Sequence, residues 1–171
     1  AVHVESLTRA TQAIRAGVDI LVHGVVNETI DAEFIELARQ HQVSYMPTMT
    51  AYQHYADIFN GKLGFTDFEH QLSHHPLIKS FVTLNANTAK TGELYQVFRR
   101  YMPYVDAPAA KLAELSADEQ GIVAQLSQVF SVNIATIQRQ NLLRALQAGL
   151  NLAFGTDAGN PGTLHATSMQ E

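Results

Sequence analysis

Three residues pair a chemically capable side chain with an equivalent place in a repeating pattern: His3, His23 and Asp157. His3 sits at the end of the β-like run Ala1–Val4, and His23 ends the apolar run Val18–His23 one strand–helix period later. Asp157 follows a third such run, Leu150–Phe154, inside Gly155-Thr156-Asp157-Ala158-Gly159. Neighbouring parallel strands lie about 4.8 Å apart, so side chains at equivalent strand ends can reach one cation. Two imidazoles and a carboxylate suit zinc or a similar divalent ion. The chain has no cysteine, so a transition metal would have to be held by histidine and carboxylate. Eight histidines against eleven Lys plus Arg is a high share, which makes metal or acid–base chemistry worth testing. A lone strand-end His is more often a hydrogen-bonded structural residue, and an Asp beside Gly more often a turn residue. The three taken together are less ambiguous, because all fall at the same point of the repeat.

The elements that must position them can be read from periodicity. Ser6 caps a helix whose face carries Leu7, Ala10 and Ile14 and which stops at Gly17. Val18–His23 is too short and too β-branched for a helix and ends at Gly24. Ile30, Phe34, Leu37, Ala38 and His41 recur at helical spacing, and Val43–Met49 is the next strand, with Pro47 near its end. Near the C-terminus, Asn133–Ala148 is predicted helical, with Ile134, Ile137, Leu142, Leu143 and Leu146 available to a buried face. Leu150–Phe154 follows as a strand, then a Gly/Pro-rich loop, then a helix capped by Thr163 and running into Glu171. Strands alternating with helices of about a dozen residues predict βα units and a parallel sheet. The chain opens on a strand and ends in a helix without a stop signal, so both ends read as cuts.

Between about 51 and 132 the alternation disappears. Helix-like segments are broken at Gly61–Gly64, His75-Pro76, Met102-Pro103 and Ala107-Pro108. Ten of the fourteen aromatics lie between Tyr52 and Tyr104, and so long an insertion is expected to be a folded helical cap over the mouth of the sheet.

Composition narrows the classes. With 46% apolar residues over 171, the chain is globular with a sizeable core. Its net charge of −5 and lack of a long basic stretch argue against nucleic acid as the main partner. The longest apolar runs are far short of the roughly 20 residues of a membrane span. No signal peptide opens the chain, and its compartment cannot be read.

The stretches Ala1-Val2-His3-Val4, Ala16-Gly17-Val18-Asp19-Ile20-Leu21-Val22-His23-Gly24, Tyr45-Met46-Pro47-Thr48, Ala148-Gly149 and Gly155-Thr156-Asp157-Ala158-Gly159 resemble the later strands of the amidohydrolase superfamily. The closest branch is the imidazolonepropionase-like and metal-dependent prolidase-like one. The resemblance covers residues 1–50 and 133–171, about half the chain, and the insertion carries none of it. It implies an α/β fold: a partial (β/α)8 TIM barrel, with His3 ending the fifth strand, His23 the sixth and Asp157 following the eighth. Val43–Met49 would be the seventh, and the helical insertion would follow it. In that family a His-x-His on the first strand binds the metal, and a carbamylated lysine or a glutamate on the fourth often bridges a second ion. This chain contains neither element, nor the family's small β-sandwich. The N-terminal half of the barrel is then a missing partner, and the isolated chain is expected to be inactive.

The implied function is hydrolysis of a C–N bond, amide or cyclic amide, in a small-molecule substrate, with one or two divalent metals, zinc first among them. A divalent cation acidifies bound water and polarises the scissile carbonyl. His3 would be a ligand. His23 would be a second-metal ligand or a hydrogen-bond donor to the carbonyl. Asp157, beside the metal, would take the proton and hand it to the leaving nitrogen. His165 begins the final helix and would contact substrate or face solvent. Tyr52 and Tyr55 follow the Val43–Met49 strand and would line the pocket or pack within the cap. His41, His54, His70, His74 and His75 have weaker claims. His41 lies near a helix C-terminus, and His74-His75 lie in an extended segment with side chains pointing apart. Arg99-Arg100 reads as a solvated face. Two rival readings stand: a non-catalytic module that needs a partner chain or binds metal weakly, and a phosphate-binding barrel enzyme using Gly155–Gly162. The second leaves the two strand-end histidines without a role.

Overall fold

A computed structural model describes residues 1–84, 92–131 and 133–165. The chain divides into two compact units. One comprises Ala1–Met49 and Val132–Gly155, the other Thr50–Ser131 and Thr156–Glu171.

The first unit is a four-stranded, wholly parallel sheet in chain order. Its strands are β1 (Val2–His3), β2 (Ile20–Val22), β3 (Ser44–Met46) and β4 (Asn151–Leu152). Helices α1 (Leu7–Arg15) and α2 (Ala32–Gln40) make the first two crossovers, and α9 (Asn133–Gln147) leads into β4. The caps follow from side-chain chemistry. Ser6 accepts the Arg9 amide at 3.3 Å and Asp31 the Phe34 amide at 2.8 Å, each satisfying a first-turn donor that has no helical partner. Val4, Ala10, Ile14, Leu21, Ile30, Phe34, Val43, Tyr45, Ala145 and Leu150 are buried in one core.

The expectation of a partial (β/α)8 barrel, strands five to eight, is overturned. The sheet is open: β1 pairs with β2, β2 with β3 and β3 with β4, and among the described residues neither edge finds a further strand. These are the first to fourth strands of a small sheet. The physical reason lies in their length, since closure needs tilted strands with a consistent stagger around the ring. Here each strand stops after two or three residues. Left-handed backbone at His23 and Gly24 ends β2, with φ of 74° and 70°. Pro47, which has no N–H to donate, follows β3.

Helix α9 also departs from expectation. Its buried residues are Ile134, Gln138, Asn141 and Ala145, while Leu143 and Leu146 are exposed. The buried stripe keeps helical spacing but is half polar, because Asn141 is engaged by backbone rather than by apolar neighbours.

The second unit is helical among its described residues: α3 (Met49–Phe59), α4 (Asp67–Leu72), α5 (His75–Leu84), α6 (Glu93–Tyr101), a 3-10 turn (Met102–Tyr104), α7 (Ala109–Leu112) and α8 (Ala117–Phe130). Two capping boxes, Thr66 with Glu69 and Ser116 with Glu119, start α4 and α8. Ile58, Phe59, Phe98 and Met102 form its core, with Tyr55, Tyr95 and Phe130 packed against it. His74-His75 is not the extended segment expected: His75 opens α5, with Pro76 in its first turn, where a missing N–H is tolerated. The helix predicted from Thr163 to Glu171 lies largely outside the described residues; Thr163 and Leu164 have no regular structure and His165 is in a turn. Among the described residues no helix is long and apolar enough to cross a membrane.

Candidate functional site

In the first unit the structure brings His3 and His23 together. His3 lies opposite Val22 in the β1–β2 register, and His23 follows Val22 directly. The ring centroids are 4.6 Å apart, and Nδ1 of His3 faces Nε2 of His23 at 2.5 Å. His3 is exposed and His23 is buried. On the other side of its ring, His23 Nδ1 is 2.7 Å from the hydroxyl of Thr48, itself 1% exposed. A hydroxyl can donate or accept, so Thr48 can match either tautomer of His23. When Nδ1–H donates to Thr48, Nε2 presents its lone pair toward His3. This is the arrangement of a metal-bound imidazole whose second nitrogen is fixed by an outer partner.

The His23 backbone is held tightly. Its amide donates to Met46 O at 3.0 Å. Its φ of 74° is left-handed, a region His enters more readily than most residues but still at a cost of about 1 kcal/mol. Gly24 continues that turn. A Cβ there would lie 2.5 Å from the Tyr45 hydroxyl, so only glycine fits. The Val25 amide then donates to Tyr45 Oη at 3.1 Å. Burial pushes the Tyr45 phenol up to about 12, against the Val25 bond, which lowers it. From α9, Asn141, fully buried, accepts the Ile30 amide at 2.8 Å and donates to Val25 O at 2.9 Å and Glu28 O at 3.0 Å. Glu5 O accepts the Val26 amide at 3.0 Å. The 23–30 loop is thus clamped from β1, β3 and α9.

The second unit holds Asp157, His165 and Tyr52. Asp157 has φ 54° and sits in a loop that satisfies its own backbone. Ala158 N donates to Thr156 Oγ1 at 3.1 Å, Gly159 N to Thr163 O at 3.3 Å, Asn160 N to Asp157 O at 3.2 Å and Thr163 N to Asn160 O at 2.9 Å. With four amides turned inward, this loop is a poor phosphate cradle. The Asp157 carboxylate accepts from the Asn160 side-chain amide, whose Oδ1 accepts the Tyr55 hydroxyl at 2.9 Å. Tyr55 is pushed up to about 12 by burial, then by Tyr95 and the Asp157 charge. His54 Nδ1 lies 2.8 Å from Gly162 O. A carbonyl only accepts, so Nδ1 carries the proton. Burial raises the nearby Asp57 carboxyl, while the His54 and Lys62 charges oppose it. Tyr52 is buried with its ring 6.3 Å from Phe130, and His165 is exposed.

Among the described residues, no three His, Asp or Glu side chains gather as a group that could hold a metal. The His3–His23 pair fits a divalent ion in donor type, but its nitrogens, in hydrogen-bond contact at 2.5 Å, would have to part to about 3.3 Å to share a zinc, and they provide two of its roughly four donors. Sequence reasoning missed Thr48, Asn141 and Asn160. Thr48 follows the end of β3 and Asn160 stands three residues after Asp157; both spacings were readable, but a Thr and an Asn among many carry no signal alone. Comparison with family models, curated proteins and solved structures returned no match.

Proposed function

We propose that this chain contributes a two-histidine metal-binding element to a hydrolase acting on C–N bonds, amide or cyclic amide, of a small-molecule substrate. The observation that carries the reading is the facing of His3 Nδ1 and His23 Nε2, with His23 Nδ1 engaged by Thr48. The resemblance of the His-Gly and Gly-Thr-Asp-Ala-Gly stretches to the amidohydrolase superfamily supports it independently. The proposal does not rest on a barrel. A divalent cation, zinc or one of its neighbours, would supply an acidified water and a polarised carbonyl. His3 and His23 would hold the ion, and Thr48 would fix the far nitrogen of the His23 ring. The resemblance assigns Asp157 the role of proton acceptor, which would pass the proton to the leaving nitrogen.

Titration with zinc or cobalt(II), read by calorimetry and by the cobalt spectrum, tests the element. Weak binding to the chain, lost in His3→Ala and in His23→Ala, is expected. Any hydrolysis of an amide and cyclic-amide panel should require both histidines and Asp157. Binding unchanged in both histidine variants would overturn the reading.

One observation favours a second reading, a non-catalytic module that pairs with another chain. Leu143 and Leu146 on α9, with Leu152 and Phe154 at and after β4, leave apolar surface exposed in the first unit. Sedimentation of Leu146→Ser and Phe154→Ser variants separates the two: a lost complex with metal binding retained would favour the module.

A further inference from the structure

Asn160 has an amide held at both ends. Tyr55 is a half-buried phenol packed against the core of the second unit, with Phe59, Phe98 and Phe130 at ring-centroid distances of 6.4, 5.8 and 5.8 Å. Burial keeps that phenol protonated across the ordinary pH range, so its O–H donates. Its acceptor is Asn160 Oδ1, at 2.9 Å. An amide with its oxygen committed to Tyr55 must turn its NH2 the other way, and that NH2 reaches both the Asp157 carbonyl, at 3.2 Å, and the Asp157 carboxylate. The opposite amide orientation would set oxygen against the Asp157 carboxylate and carbonyl, which only accept, so Asp157 fixes which way the amide faces and Tyr55 ties down its oxygen end.

We infer that Tyr55 and Asn160 are positioning residues for Asp157: Tyr55 anchors the Asn160 amide, and the anchored amide holds the Asp157 carboxylate at one rotamer. The role rests on the reading of Asp157 as the proton acceptor, but the geometry of the chain of bonds stands without it. The design has a physical logic. Asp157 lies at a left-handed position of its loop, and a proton acceptor must be held at one rotamer. A bond relayed from a rigid aromatic core supplies that restraint, and a charge-assisted bond is about twice as strong as a neutral one. Neither residue is asked to transfer a proton.

Tyr55→Phe keeps the ring and its packing and removes only the hydroxyl. In the intact chain, hydrogen exchange of the Asn160 side-chain amide, followed by NMR, should speed up about tenfold in this variant, the change expected for loss of one hydrogen bond. The rate in Tyr55→Phe/Asp157→Ala should match that in Asp157→Ala within error if the three act as one chain. Exchange unchanged in Tyr55→Phe would overturn the inference. On any amide of the panel that the chain hydrolyses, Tyr55→Phe should lower kcat with KM held, and Asn160→Asp, which sets a second carboxylate against Asp157, should lower it further. An unaltered kcat in both would overturn the positioning role. If the wild-type chain hydrolyses no amide, the C–N hydrolase reading fails, and the exchange measurement still decides this one. Should Tyr55→Phe fold poorly, Asn160→Leu gives the same readout through the Asp157 carboxylate, whose 13C resonance should broaden or move; a stationary resonance would count against the chain.

Discussion

The hydroxyl of Tyr45 accepts the amide proton of Val25 at 3.1 Å, two residues beyond His23, on a loop that has turned left-handed at both His23 and Gly24. A phenol in the middle of β3 therefore helps fix the backbone that aims the His23 ring. Removing the hydroxyl or crowding it should disturb the same loop in different ways.

Alkaline pH gives the first test. Burial raises the folded Tyr45 phenol from 10.0 to about 12, so the unfolded chain releases this proton first. Between these values the folded state binds more protons, and stability falls as pH rises. The contribution is complete below pH 10 and lost by about pH 12, and it amounts to at most about 3 kcal/mol. Absorbance at 295 nm should show late titration of Tyr45 and Tyr55. Urea unfolding at pH 8, 10 and 11 should show the loss, and Tyr45→Phe should reduce it while costing about 1 kcal/mol at pH 8. A stability independent of pH over 10–11.5 would contradict this account.

Gly24→Ala should destabilise by about 2–4 kcal/mol, since alanine is strained at positive φ and its methyl would meet a buried ring. Because the nearest atom is Tyr45 Oη at 2.5 Å, the Gly24→Ala/Tyr45→Phe pair should be less damaging than the sum of the two. Strict additivity in chemical denaturation would show that the clash is relieved elsewhere.

Much of the sheet was legible because parallel strands announce themselves as short β-branched runs between helices. Ser6 as a cap, the helices after it and the order of the four strands all follow from local signals. Strand length and closure do not, since they depend on partners distant in sequence. The same runs that resemble barrel strands stop at His23 and before Pro47 in an open sheet. The histidine pair was readable as two equivalent strand ends. Its outer partner Thr48, and Asn141 at a sequence distance of 111 from Ile30, were not, because nothing local marks which polar residue will face a backbone orphan. The leucines of α9 misled for the same reason: the face that buries is the one whose Asn finds three backbone partners.

Asn141→Ala should accordingly cost about 3 kcal/mol, more than an average core truncation of its size, because one amide and two carbonyls lose a buried partner together. Hydrogen exchange should localise the damage: the Ile30 amide should lose protection ahead of the amides of α2. Equal loss across the first unit would mean that the loop opens only with global unfolding.

Thr48→Val isolates the outer partner of the His23 ring. The two side chains are nearly the same shape, so packing is conserved while the partner of His23 Nδ1 at 2.7 Å is removed. Stability should fall by about 1–2 kcal/mol, since a buried polar group loses a hydrogen bond. Without the hydroxyl, the Nδ1 contact of the ring changes, and its 15N shifts should move. If His23 is a ligand through Nε2, zinc affinity should drop by about 10–100-fold, the usual penalty for losing an outer-shell partner, and Thr48→Ser should restore most of it by returning the hydroxyl. The stability loss without an affinity loss would place Thr48 in the fold alone. An affinity loss that Thr48→Ser fails to rescue would shift the cause from the hydroxyl to the γ-methyl, and the role of Thr48 as outer partner of the His23 ring would fail.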